Sequence, residues 1–217
     1  MTRGLTVAVA GVTGIVGQEF LRILEERAFP VKRLVALASK RSVGRTVAFA
    51  GEVVPVEDLE TADFEGVDVA FFSVGGGRSK AHAPRAAEAG ALVVDNSSAF
   101  RMDPAVPLVV PQVNPERARE HRGIIANPNC STILLIVALA PLHRRVPIRR
   151  VVCATYQAVS GSGAEALAEL ETQASAEREG RPLEARVYPQ PIHANVIPFV
   201  QAFGDDAITL VVWKMVN

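Results

Sequence analysis

Between residues 5 and 39 the chain alternates in a way that few folds accept. Leu5 to Ala10 is a short apolar run that favours a buried strand, and it ends in Gly11. The segment GVTGIVG at 11–17 then brings three glycines at a regular spacing of three. Gln18 to Arg27 follows with Phe20, Leu21, Ile23 and Leu24 on or near one helical face. Arg33 to Ser39 is again strand-like. A buried strand, a glycine turn, an amphipathic helix and a second buried strand form a βαβ unit. Such a unit commits the chain to parallel pairing in a sheet covered on both faces.

The same grammar continues. A weaker strand pair is predicted within TVAFAGEVVPV at 46–56, and a buried strand over Val67 to Val74 ends at Gly75-Gly76-Gly77. An Ala-rich helix over Ser79 to Ala89 and a strand over Ala91 to Ser98 come next. Beyond Cys130 the pattern changes. Ile133 to Leu142 predicts a buried helix closed near Pro141, Arg150 to Ser160 predicts a strand, and Ala164 to Glu179 predicts a long polar helix after a GSG turn. Residues 180–198 are proline-rich and irregular. With 217 residues, 49% of them hydrophobic, there is room for one large or two modest domains. The fold class expected is α/β. An N-terminal doubly wound, Rossmann-type parallel sheet spans 1–130, and an incomplete α+β catalytic and dimerisation domain spans 131–217.

Glycines between a first strand and a first helix let the backbone approach a phosphate, and the helix N-terminus supplies N–H groups and a positive dipole end. The spacing is G-x-x-G-x-x-G, so it is the position at the first βα turn that makes the motif informative. A tight turn without a ligand is the plain alternative. An NAD site would place Asp or Glu at the end of the second strand, to hold the ribose hydroxyl. Here that strand runs into Ser39, Lys40, Arg41, Ser42 and Arg45. These cations and hydroxyls suit a 2′-phosphate, so NADP is expected, with a solvated basic turn as the alternative.

Cys130, in ANPNCST at 126–132, precedes an apolar helical run. A helix N-terminus favours the reactive thiolate and can steady an oxyanion. Free cysteine is also a common core residue. Spacing alone leaves nucleophile and core filler about even; Cys153, mid-strand by prediction, reads as core. The charges, 23 basic and 23 acidic, argue for neither nucleic acid nor a membrane surface as partner. Two cysteines and no secretory leader pattern lead to the expectation of a cytoplasmic protein.

Taken together, several motifs resemble the aspartate-β-semialdehyde dehydrogenase family. They are GVTGIVG at 11–17, SKRSVG at 39–44, DNSSAFRM at 95–102, PNCST at 128–132, YQAVSGSG at 156–163 and WKMVN at 213–217. N-acetylglutamyl-phosphate reductases resemble them less well. The resemblance implies an NADP-dependent, phosphate-dependent interconversion of L-aspartate 4-semialdehyde and β-aspartyl phosphate. It would run through a thioester on Cys130, in the biosynthesis of lysine, methionine and threonine. It implies that Gln157 orients the substrate and that Arg101, Lys214 and Asn96 bind substrate or phosphate, with Ser98 in the same pocket. Cofactor contacts fall to Gly11, Thr13, Gly14, Ile15, Val16, Gly17, Ser39, Arg41, Ser42, Ser160 and Gly161. The partners implied are a small-molecule substrate, inorganic phosphate and further copies in a homodimer or homotetramer; no metal is expected.

The family's acid–base histidine and a second substrate arginine lie beyond the WKMVN motif, where this chain stops at Asn217. A C-terminally incomplete second domain is therefore expected. None of His82, His121, His143 and His193 stands in that histidine's context, and His193 is the nearest substitute. Val211 and Val212 occupy the places where the family carries an acidic residue before the lysine. The alternatives are a nucleotide-binding chain without catalysis, or a sister reductase of another acyl phosphate or acyl-CoA using the same cysteine.

Overall fold

A computed structural model of the chain describes residues 4–198. The chain divides into two compact units, the first ending at Arg149 and the second beginning at Arg150.

In the first unit, β1 (Leu5–Ala10), α1 (Ile15–Glu26) and β2 (Val31–Ala38) realise the βαβ unit expected from the glycine turn. The edge hairpin is β3 (Thr46–Phe49) with β4 (Glu52–Asp58). Then come β5 (Val69–Phe72), α2 (Gly76–Glu88), β6 (Leu92–Asp95) and β7 (Ile124–Ala126). The seven strands lie in the order β3-β4-β2-β1-β5-β6-β7. All pairings are parallel except β3 with β4, so the sheet is mixed at one edge. The chain moves outward from β1 to β2 and β4, then returns to β5 beside β1. The order therefore reverses between β1 and β5, which is where doubly wound sheets bind ligands at the carboxyl ends of their strands.

Strand alternation sorts the core into two faces. Ala8, Ala10, Leu37, Ala70 and Phe72 pack with Ala83 and Ala86 of α2. Val7, Val9, Leu34, Ala36 and Val56 pack with Leu21 and Leu24 of α1. One helix on each face leaves the carboxyl edge of the parallel strands open to the loops that follow them.

The last element of this unit, α3 (Cys130–Arg145), corrects the expectation of a buried helix closed near Pro141. It runs through Pro141, carries His143 in its last turn, and buries none of its residues; Leu134 and Leu142 are 75% and 62% exposed. An all-apolar face reads as core from sequence whether or not another element covers it.

In the second unit, residues 151–158 form no strand, although their apolar and β-branched run predicts one. A strand needs a paired neighbour, and no strand of the described residues pairs with this stretch. Cys153, expected in a core, is consequently exposed. A short 3-10 turn at Val159–Ser162 leads into α4 (Ala164–Arg178), close to the helix predicted. Buried Glu169 on α4 accepts hydrogen bonds from the backbone N–H groups of Arg186 and Val187 and from Gln173, which fastens the proline-rich segment to the helix. His193 is held by Gln173 Oε1 at its backbone and by Glu177 at its ring, 2.8 Å away.

Candidate active site

Two of the three glycines of the first βα turn, Gly11 and Gly17, leave no room for a side chain, and Gly14 leaves little. Gly11 has φ +87°, and a Cβ on it would lie 2.3 Å from the carbonyl oxygen of Ser73. A Cβ on Gly17 would lie 2.1 Å from the carbonyl oxygen of Gly11, and one on Gly14 3.2 Å from the same atom. The Gly14 N–H donates to that oxygen at 2.9 Å, while Gly11 and Val12 donate to Leu37 at the end of β2. Gly14 is the N-cap of α1 and offers no side-chain cap, so the N–H groups of Ile15, Val16 and Gly17 open the helix without intrahelical partners. Ile15 and Val16 flank this opening with exposed side chains. The cradle fits the diphosphate of a dinucleotide: its backbone is close-packed, its dipole is positive and no side chain fills it.

Beside it, after β2, residues Lys40–Ser42 form a 3-10 turn. Ser42 is buried and its hydroxyl lies 3.3 Å from that of Thr13, which ties this turn to the glycine loop. Ser39 is half-buried; Lys40, Arg41 and Arg45 are exposed and form no ion pair among the described residues. Cations thus stand free at the end of the second strand.

The same edge of the sheet carries Cys130. β6 ends at Asp95 and β7 at Ala126, and these two residues are paired in register. After β6 the chain turns on Asp95, whose Oδ2 accepts from the backbone N–H and the hydroxyl of Ser97, at 3.2 and 2.7 Å. That turn brings Arg101 back over the strand ends. Its Nε donates to Asn127 O at 2.8 Å and its Nη2 to Asn96 O at 2.9 Å. The side-chain amides of Asn127 and Asn96 join at 2.6 Å. After β7, Pro128 is buried and Asn129 caps α3, its Oδ1 accepting from Ser131 N at 3.0 Å and Thr132 N at 3.4 Å. Cys130 is the first residue of α3 and is exposed, which removes the core-filler reading. Burial pushes the Arg101 guanidinium below its ordinary range, and the charges of Asp95 and Cys130 pull it back up. An exposed thiol at a helix N-terminus, with an oriented cation in its electrostatic reach, is suited to thiolate chemistry on a carbonyl that carries or receives an anion.

The structure therefore brings Asn96, Arg101 and Cys130 together, and the glycine loop with Ser42. Ser98 lies by Gly76 at the start of α2, its Oγ 3.2 Å from where a Gly76 Cβ would stand. In the second unit, Gly161 makes room for Gln157: a Cβ there would lie 2.4 Å from the Gln157 amide nitrogen. Ser160 is exposed in the same 3-10 turn. Lys214, with Val211 and Val212, lies outside the described residues. Of the histidines, His82 is buried between Glu60 and Arg85, and His121 is exposed and accepts from Gly123 N. Sequence reasoning passed over Asp95, Asn127 and Asn129, although all three stand in motifs quoted above; polar residues at strand ends were the available signal. No group of metal-ligating side chains occurs among the described residues. Nor is any of their helices long and apolar enough to cross a membrane.

Residues 6–121 match the family model for the semialdehyde dehydrogenase NAD-binding domain, and residues 139–217 match that for the semialdehyde dehydrogenase dimerisation domain. The chain belongs to the semialdehyde dehydrogenase family. Among relatives, the aspartate-semialdehyde dehydrogenase of Legionella pneumophila is 50% identical over the whole chain, which spans 63% of that protein's length. Among solved semialdehyde dehydrogenase structures, aspartate semialdehyde dehydrogenase II of Vibrio cholerae complexed with ASA has a TM-score of 0.96. It is 46% identical, with 99% of this chain and 64% of that one covered. The aspartate semialdehyde dehydrogenase of Candida albicans solved with NADP has a TM-score of 0.58 at 26% identity, with 67% and 48% covered.

Proposed function

We propose that this semialdehyde dehydrogenase interconverts L-aspartate 4-semialdehyde and β-aspartyl phosphate with NADP and inorganic phosphate. The observation that carries the reading is Cys130, exposed at the capped start of α3, with Arg101 held beside it by two backbone carbonyls. The Cys130 thiolate attacks the aldehyde carbon and forms a C–S bond. NADP, when bound, accepts the hydride that leaves this carbon. Phosphate oxygen then attacks the thioester, the C–S bond breaks, and the thiolate is regenerated with release of the acyl phosphate. Arg101 presents its remaining Nη1 donor to the incoming phosphate, Asn96 lines the same pocket, and Gln157 and Lys214 hold the substrate and phosphate. Helix N–H groups at 15–17 hold the diphosphate, Ser39, Arg41 and Ser42 hold the 2′-phosphate, and Ser160 and Gly161 serve the nicotinamide end. We further infer a cytoplasmic homodimer or homotetramer, supported by the dimerisation-domain match.

The test is NADPH formation on mixing the protein with aspartate semialdehyde, NADP and phosphate. Activity that requires phosphate and vanishes in Cys130→Ala is the expected result. NADP binding without turnover would favour a nucleotide-binding role, and turnover with another acyl phosphate or acyl-CoA alone would favour a sister reductase.

A further inference from the structure

Asp95 is fully buried at the end of β6, yet only one of its carboxylate oxygens is satisfied. Oδ2 takes both bonds from Ser97, and Oδ1 has no hydrogen-bond partner among the described residues. A buried carboxylate with a bare oxygen is costly unless a cation stands near it. The cation is Arg101. Its Nε and Nη2 hydrogen bonds go to neutral carbonyls, of Asn127 and Asn96, so they orient the guanidinium without balancing its charge. Both carbonyls are built on Asp95: Asn96 follows it in the chain, and Asn127 N donates to Asp95 O at 2.8 Å.

We propose that Asp95 is a positioning residue for Arg101: its carboxylate keeps the guanidinium seated over the ends of β6 and β7, and it limits the pull of that cation on the Cys130 sulfur and on a bound phosphate. A desolvated arginine without an internal counter-charge would grip an anion strongly and release it slowly. A balanced one orients the anion and lets it go. The other charged groups of α3, His143, Arg144 and Arg145, stand in its last turn, about 20 Å along the helix from Cys130. The proposal rests on the reading of Cys130 and Arg101 given above, but its test needs no turnover.

In a Cys153→Ser background, leaving Cys130 as the reporting thiol, the rate of alkylation by iodoacetamide is followed against pH. Asp95→Asn is expected to move the profile to lower pH by about 0.5 unit, because the thiolate loses a nearby anion and faces an unbalanced cation. Arg101→Met is expected to move it the other way. Ser97→Ala, which keeps the carboxylate, is expected to leave the midpoint in place; a merely structural Asp95 would make Ser97→Ala and Asp95→Asn behave alike. Inorganic phosphate should protect Cys130 at about threefold lower concentration in Asp95→Asn. Absence of phosphate protection in the parent would count against the enzymatic reading, not against the role of Asp95. Thermal unfolding gives a second measurement that survives poor folding of Asp95→Asn alone. Arg101→Met leaves Asp95 uncompensated and should lower the midpoint, and the double variant should recover part of that loss. A folded Asp95→Asn protein with an unmoved or raised alkylation midpoint, or a double variant no more stable than Arg101→Met, would overturn the proposal.

Discussion

Gly17→Ala tests whether the cradle is set by sterics. The added methyl would stand 2.1 Å from Gly11 O and 2.7 Å from Val12 Cα, both backbone atoms, where real Cβ contacts stay above 3.0 Å. About 0.9 Å of relief is needed, and no flexible side chain can supply it. Overpacking of this kind costs about 1–3 kcal/mol, and a backbone obstacle belongs at the upper end of that range. Alanine recovers at most about 1 kcal/mol of helix propensity in α1. A net loss of about 2 kcal/mol follows. The start of α1 must also tilt away from Gly11, which misdirects the N–H groups of residues 15–17. NADP affinity should therefore fall by at least about tenfold, equivalent to about 1.4 kcal/mol. Urea unfolding and fluorescence titration with NADP measure the two quantities separately. A variant within about 0.5 kcal/mol of the parent and unchanged in NADP affinity would refute the steric argument.

Gly161→Ala should behave differently, because its obstacle is the Gln157 amide at 2.4 Å, the far end of a movable side chain. Stability should change by less than about 1 kcal/mol, while KM for the semialdehyde rises if Gln157 orients the substrate; an unchanged KM would remove Gln157 from that role. Asn129→Ala deletes the cap of α3 and should cost about 1 kcal/mol in urea unfolding. It should also slow alkylation of Cys130 as the first turn frays. Arg41→Glu should lower affinity for NADP but not for NAD, read by titration with each nucleotide, since only NADP brings a phosphate to the end of β2.

Legibility followed how local each element's cause was. The βαβ unit could be read from sequence because its period changes from strand to helix within a few residues and glycines mark the change. The edge hairpin and α4 announced themselves in the same way. The stretch 151–158 misled because Val151, Val152, Thr155 and Tyr156 are residues that favour strands, whereas a strand exists only with a neighbour to bond. Helix α3 misled for a related reason: an apolar surface says that burial is favourable, not that a partner element is present. Cys130 was the converse. Spacing alone left nucleophile and core filler about even, and the exposed first turn behind the Asn129 cap sets the core-filler reading aside. Asp95 was invisible in its role because its relation to Arg101 passes through strand register and a returning loop.

Strand order also fixes which way a dinucleotide would run. The glycine cradle follows β1, the free cations at 40–45 follow β2 on one side, and Cys130 follows β7 on the other. With neighbouring strands about 4.8 Å apart, three steps from β1 through β5 and β6 to β7 separate cradle and thiol by about 14 Å. If the diphosphate sits in the cradle and the 2′-phosphate meets Arg41, the adenosine end points toward β2. The nicotinamide end must then extend across β5 and β6 toward Cys130. Exchanging the charge at position 41 should consequently change nucleotide affinity without changing the alkylation profile of Cys130. A thiol profile that followed the charge at position 41 would mean that the cofactor does not run along the strand ends in this direction.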